Sequence, residues 1–214
     1  METKSRQDNN STFDVNDGSL LISSAREAIQ VFLSNRTMEV PLALRLNSRF
    51  SVKTGCFVTL KNNDPEKTLR GCIGFPEPVM PLSNALIQAA VAAAVEDPRF
   101  EPVTKRELDN LLLEISILTR PNQINVKKKI DLPKEITVGK DGLILKWAFG
   151  SGLLLPQVAR EYDWDAEEFL CNLSMKAGAP PDEWLNPESI VYKFQAIIFG
   201  EETAGGRIVT ISEE

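Results

Sequence analysis

At 214 residues, with 43% hydrophobic and 25% charged side chains, the chain is long enough to bury a sizeable core and too balanced in composition to be disordered throughout. A net charge of −6 opposes general nucleic-acid binding, and the one dense basic run, Lys127, Lys128 and Lys129, reads as a solvated loop. Histidine is absent, which excludes Ser-His and Cys-His dyads, HExxH zinc sites and histidine-ligated iron.

The opening METKSRQDNNST has no apolar run, so neither a signal peptide nor an anchor is expected there, and residues 1–18 read as a disordered head. A first helix is predicted from Ser19 to Arg36, with Leu21, Ala25, Ala28, Ile29 and Phe32 on one stripe. GCFVTLK (55–61) and LRGCIGF (69–75) read as strands of an antiparallel hairpin around the turn Asn62-Asn63-Asp64-Pro65. A helix follows from Pro81 to Glu96, rich in alanine and stopped before Pro98. Thr104 and Glu107 form a capping box, and LLLEISILT (111–119) is the next strand. Beyond Pro121, residues 134–155 read as a three-strand meander, with Asp141-Gly142 and Gly150-Ser151-Gly152 at its hairpin turns. A short helix begins at Pro156, and Asp165 with Glu168 caps another that ends at Gly178. VYKFQAIIFGE (191–201) reads as one closing strand without a local partner.

Pairing that strand with the early ones makes the middle of the chain an insertion. The expected fold is therefore α+β, with two subdomains that each pair an antiparallel sheet with helices. The larger takes 19–121 plus 189–203, the smaller takes 122–188, and 204–214 is a tail. Cys56, Cys72 and Cys171 are odd in number and scattered, which suits free thiols in a reducing, cytoplasmic setting. With no CxxC pair and no long apolar span, no metal, no bound cofactor and no membrane partner are expected.

LRGCIG (69–74) is the hallmark hexapeptide of the AMMECR family, and six further blocks follow the family's order and spacing. They are GCFVTL (55–60), EDPRFEPV (96–103), LEISIL (113–118), GLLLPQVARE (152–161), FL (169–170) and KAG (176–178). From residue 20 to residue 201 the chain thus resembles that family. It departs at Asp141, where relatives often carry His, and at Ala179, where Leu is usual. The resemblance implies a smaller α+β subdomain inserted in a larger one, with the hexapeptide facing a cleft between them. It implies partners among Memo-like and radical SAM proteins, and it brings no established activity.

Strand alternation puts Arg70, Cys72 and Gly74 on one face of the hexapeptide, where the guanidinium can turn towards the sulfur and favour a thiolate. Gly71 and Gly74 remove bulk, so that another backbone or a ligand can approach. Arg70, Gly71, Cys72 and Gly74 are accordingly the candidate binding residues, with Cys72 the candidate nucleophile. The opposing reading makes Cys72 a small buried hydrophobe and pairs Arg70 with a carboxylate. Asp97 and Arg99 form a salt-bridged connector or a second acid-base site, while Gln157 and Lys176 are weaker candidates for the cleft wall. Two functions remain: a binding or adaptor protein holding a protein segment or large ligand, and an enzyme using Cys72 and Arg70 in redox or transferase chemistry.

Overall fold

The computed structural model describes residues 13–211. Helix α1 (Val15–Asn35) starts at Asp14, whose side chain and that of Asp17 cap each other's backbone N–H groups. The helix thus enters the region expected to be a disordered head; residues 1–12 of that head lie outside the described residues. A one-turn helix α2 (Leu42–Leu46) and a 3-10 turn (Ser48–Ser51) lead to strands β1 (Cys56–Asn62) and β2 (Leu69–Phe75). Helix α3 (Leu82–Val95), the short α4 (Lys105–Leu108) and strand β3 (Leu111–Leu118) complete the first half as expected.

The first sheet has the order β2-β1-β3, then β8 (Ala196–Glu201) and β9 (Ile208–Ile211), all neighbours antiparallel. Ile73, Val58, Ile115 and Phe199 stand in one register row and face the helices. A Cβ on Gly18 of α1 would meet the Phe199 ring at 2.4 Å, and one on Gly71 would meet the Ala93 carbonyl of α3 at 2.2 Å. Helix and sheet therefore meet backbone to side chain at Gly18 and backbone to backbone at Gly71, where alanine-rich α3 can come close. The opposite face carries the row Cys72, Thr59, Glu114, Gly200 and, beside it, Gly74, Phe57, Ser116, Ile198.

The second sheet has the order β4 (Asn122–Gln123), β7 (Ile190–Phe194), β5 (Gly142–Trp147), β6 (Gly150–Leu154). Helix α5 (Pro156–Glu161) precedes α6 (Ala166–Lys176), and Leu143, Leu145, Phe169, Leu173, Trp184 and Val191 form this unit's own core.

Four expectations are corrected here. Residues 191–201 are not one strand: the chain breaks at Gln195, so that 190–194 pairs with β4 and β5 while 196–201 pairs with β3. Ile190–Phe194, assigned above to the larger unit, is thus a strand of the smaller sheet. Residues 134–155 supply two strands rather than three, because 129–135 winds into a 3-10 helix and β7 fills the sheet. Gly150 and Gly152 lie within β6, not in its turn; a Cβ on Gly152 would meet the Ala177 backbone nitrogen at 2.6 Å, so close approach of α6 is what requires glycine. The tail also contributes structure, since β9 closes the first sheet. Among the described residues, no helix is long and apolar enough to cross a membrane.

Candidate functional site

Strand β2 is an edge strand, so its outward N–H groups have no strand to donate to. Asp97, in the connection after α3, takes that place. Its Oδ2 accepts from the Cys72 N–H at 2.8 Å, and the carboxylate is buried. Arg99 closes over it from outside, with Nε 2.9 Å from Oδ1 and Nη2 2.7 Å from Oδ2. These bonds, led by those from the Arg99 side chain, hold the Asp97 carboxyl well below the usual carboxylate range. The salt-bridged connector is therefore present, and it is tied to the hexapeptide's backbone.

Arg70 does not turn to Cys72. A bulge opposite Leu60 and Lys61 shifts the register at this end of β2, and the guanidinium reaches the connector instead. Its Nε pairs with Glu107, and Nη2 donates to the Glu101 carbonyl at 2.8 Å. Arg70 and Arg99 each lie against the ring of Phe100, at 5.7 and 5.4 Å from its centre. Nη1 of Arg70 is buried without a hydrogen-bond partner. Glu107 also caps α4 by accepting from the Thr104 N–H, so the capping box visible in the sequence supplies the counter-ion as well.

Cys72 is half-buried, and its sulfur accepts a 3.3 Å hydrogen bond from the Thr59 hydroxyl across the strand pair. Burial pushes the thiol up. The Thr59 bond and Arg99 oppose that shift, whereas the Asp97 and Glu114 carboxylates add to it. The expected Arg70-stabilised thiolate is thus replaced by a thiol that favours its protonated form, with Arg99 as its neighbouring cation. Cys56 is fully buried and pushed up to about 12, a packing role.

The spaces left by the two glycines are taken. Ala93 fills the one at Gly71, on the helix side, and the Phe57 ring lies 2.3 Å from where a Gly74 Cβ would stand. The helix-free face next to Cys72 then consists of Phe57, Thr59 and the ion pair of Lys61 with Glu114 at 2.8 Å. Of these, Thr59 and Phe57 could be anticipated from antiparallel register, but Glu114, Glu107 and Phe100 come from segments whose pairing the sequence does not announce.

The structure brings Arg70, Cys72, Asp97 and Arg99 together. Gln157 on α5 and Lys176 in the last turn of α6 belong to the other unit and take no part in the hydrogen bonds described around the hexapeptide. Among the described residues, no three His, Cys, Asp or Glu side chains are grouped so as to hold a metal ion.

The model of the AMMECR1 family matches residues 22–199. A protein of Methanothermobacter thermautotrophicus is 50% identical over 186 residues, covering 87% of this chain and 95% of that one. Protein MJ0810 of Methanocaldococcus jannaschii is 45% identical over 193 residues, covering 90% and 94%. The crystal structure of the uncharacterized protein PH0010 from Pyrococcus horikoshii superposes with a TM-score of 0.84 at 45% identity, covering 93% of this chain and 98% of that one. The fold described above is shared with that structure, and the chain belongs to the AMMECR1 family.

Proposed function

We propose that this protein is a cytoplasmic binding or adaptor component, holding a protein segment or sizeable ligand in a cleft that the hexapeptide's strand shares with the smaller unit. One observation carries the reading: Cys72, Thr59 and Phe57 stand half-exposed on the sheet face away from α1 and α3, held in place by a fully engaged support of Asp97, Arg99 and Glu107. A preorganised surface of mixed polar and aromatic character suits recognition. Memo-like and radical SAM proteins are the partners proposed, by family resemblance. An enzyme with a Cys72 nucleophile is less well supported, because the thiol is pushed up and Arg70 is committed to Glu107.

A photo-crosslinking side chain placed at Thr59 in the native cell tests this, with the exposed Ser34 as control position. A defined adduct from position 59 alone is expected, together with slow alkylation of Cys72 at neutral pH. Fast alkylation without an adduct would favour the enzyme.

A further inference from the structure

Away from the hexapeptide, exposed apolar side chains gather around α2 on the outside of the larger unit. Leu42 and Leu46 of α2 are 57% and 75% exposed, four residues apart on one helix face, while Leu44 between them is buried. Val52, also exposed, follows in the next segment, which is held to the start of α3 by the Leu82 N–H donating to the Val52 carbonyl at 2.8 Å and by the pairing of Lys53 with Pro81. Between α2 and the start of α3 runs a groove of about 400 Å³, with Val40, Leu46 and Pro81 among its walls. Exposed apolar side chains gathered around a groove mark an interaction surface.

The sign of charge says what fits it. Among the described residues lining the groove, Arg45 is the only charged one, with Lys53 adjoining, in a chain of net charge −6. Ser83 and Asn84 at the start of α3 line it too, and the N-cap, Pro81, gives that helix no side-chain cap. The positive end of the α3 dipole therefore adds to Arg45. A second copy docking by the same surface would bring positive charge to positive charge, which disfavours a symmetric dimer.

We propose that this groove docks an acidic amphipathic segment of a different protein, one whose apolar side chains fill the space beside Leu46 while flanking carboxylates meet Arg45. The proposal is independent of the hexapeptide face. A peptide-display selection on the immobilised full-length chain, counter-selected against Leu46→Asp and Arg45→Glu, tests it. Enriched peptides should combine Leu or Phe with several Asp or Glu, and a labelled representative should bind at least tenfold more weakly to either variant and unchanged to Cys72→Ala. Both substituted positions are exposed, so each variant should keep the wild-type thermal midpoint and remain a fair control. Absence of enrichment, or enrichment of basic peptides, would overturn the proposal. So would a wild-type dimer by sedimentation that Leu46→Asp dissociates, since the occupant would then be a second copy.

Discussion

Replacing Asp97 by Asn leaves an acceptor for the Cys72 N–H but removes the charge that Arg99 covers. Arg99 is half-exposed, so the loss at neutral pH should be about 1–2 kcal/mol rather than the larger cost of a fully buried pair. The pH dependence follows from the carboxyl's folded value lying below its unfolded value of about 3.9. A depressed value means that the folded state binds fewer protons, so the contribution is complete above about pH 4 and is lost as the pH falls through the folded value. Urea melts of wild type and Asp97→Asn should therefore diverge at pH 7 and converge towards pH 2; a gap that stays constant would show that the charge is not what Asp97 contributes. Arg70→Ala should be more costly, about 2–3 kcal/mol, because it strips Glu107 of its ion pair and leaves the Glu101 carbonyl without its Arg70 donor. A melt indistinguishable from wild type would return Arg70 to the role of a free ligand-binding cation. The Asp97–Arg99 pair was legible in the sequence, since two carboxylates at a helix C-terminus call for a local cation. A carboxylate partner for Arg70 was one of the two readings the sequence offered, but its identity as Glu107 was not legible, because the bulge that diverts Arg70 depends on the register with β1.

Gln195 shows what element-level reading misses. The run VYKFQAIIFGE is rich in β-branched and aromatic residues like one strand, and its interior polar residues, Lys193 and Gln195, do not mark a break. What divides it is pairing with two different sheets, a long-range matter that no local pattern encodes. At the division, the Gln195 N–H donates to the Thr119 hydroxyl at 2.8 Å and the Thr119 N–H to the Gln195 carbonyl at 2.7 Å. The two places where the chain passes between sheets are thereby bonded to each other. Asp141 reinforces the junction from the smaller unit, accepting from the Gln195 side-chain amide at 3.2 Å and the Thr137 N–H at 2.9 Å. Thr119→Val keeps the side chain's shape but removes the acceptor, so it should cost about 1 kcal/mol. Amide exchange should accelerate at Gln195 while protection within β1, β3 and β5 is retained. Unchanged exchange at Gln195 would mean that the strand ends hold the junction without the hydroxyl.

Over the whole molecule, the want of a local partner for the last strand pointed to an insertion, but reading 191–201 as one strand placed its end too early, because β7 belongs to the smaller sheet. The inserted unit therefore runs through Phe194 and builds its core from Ile124 to Val191, whereas the larger unit's core draws on residues on both sides of it. Each core has its own fully buried large side chain to remove: Trp184 in the smaller and Leu86 in the larger. Truncating either to Ala should cost about 3–5 kcal/mol, since the transfer term and the cavity add. With two crossings, and the hydrogen bonds of Gln195 to Thr119 and Asp141 gathered at one junction, the losses should stay local. In Trp184→Ala, amide exchange should rise across 124–191 while α3, β1 and β3 keep their protection. Leu86→Ala should affect the complementary set, including β8 and β9, which lie after the insertion in sequence but in the larger sheet in space. If either variant lowers protection evenly through both sheets, the two units unfold as one, and the cleft proposed between them would then be a rigid groove rather than a hinge.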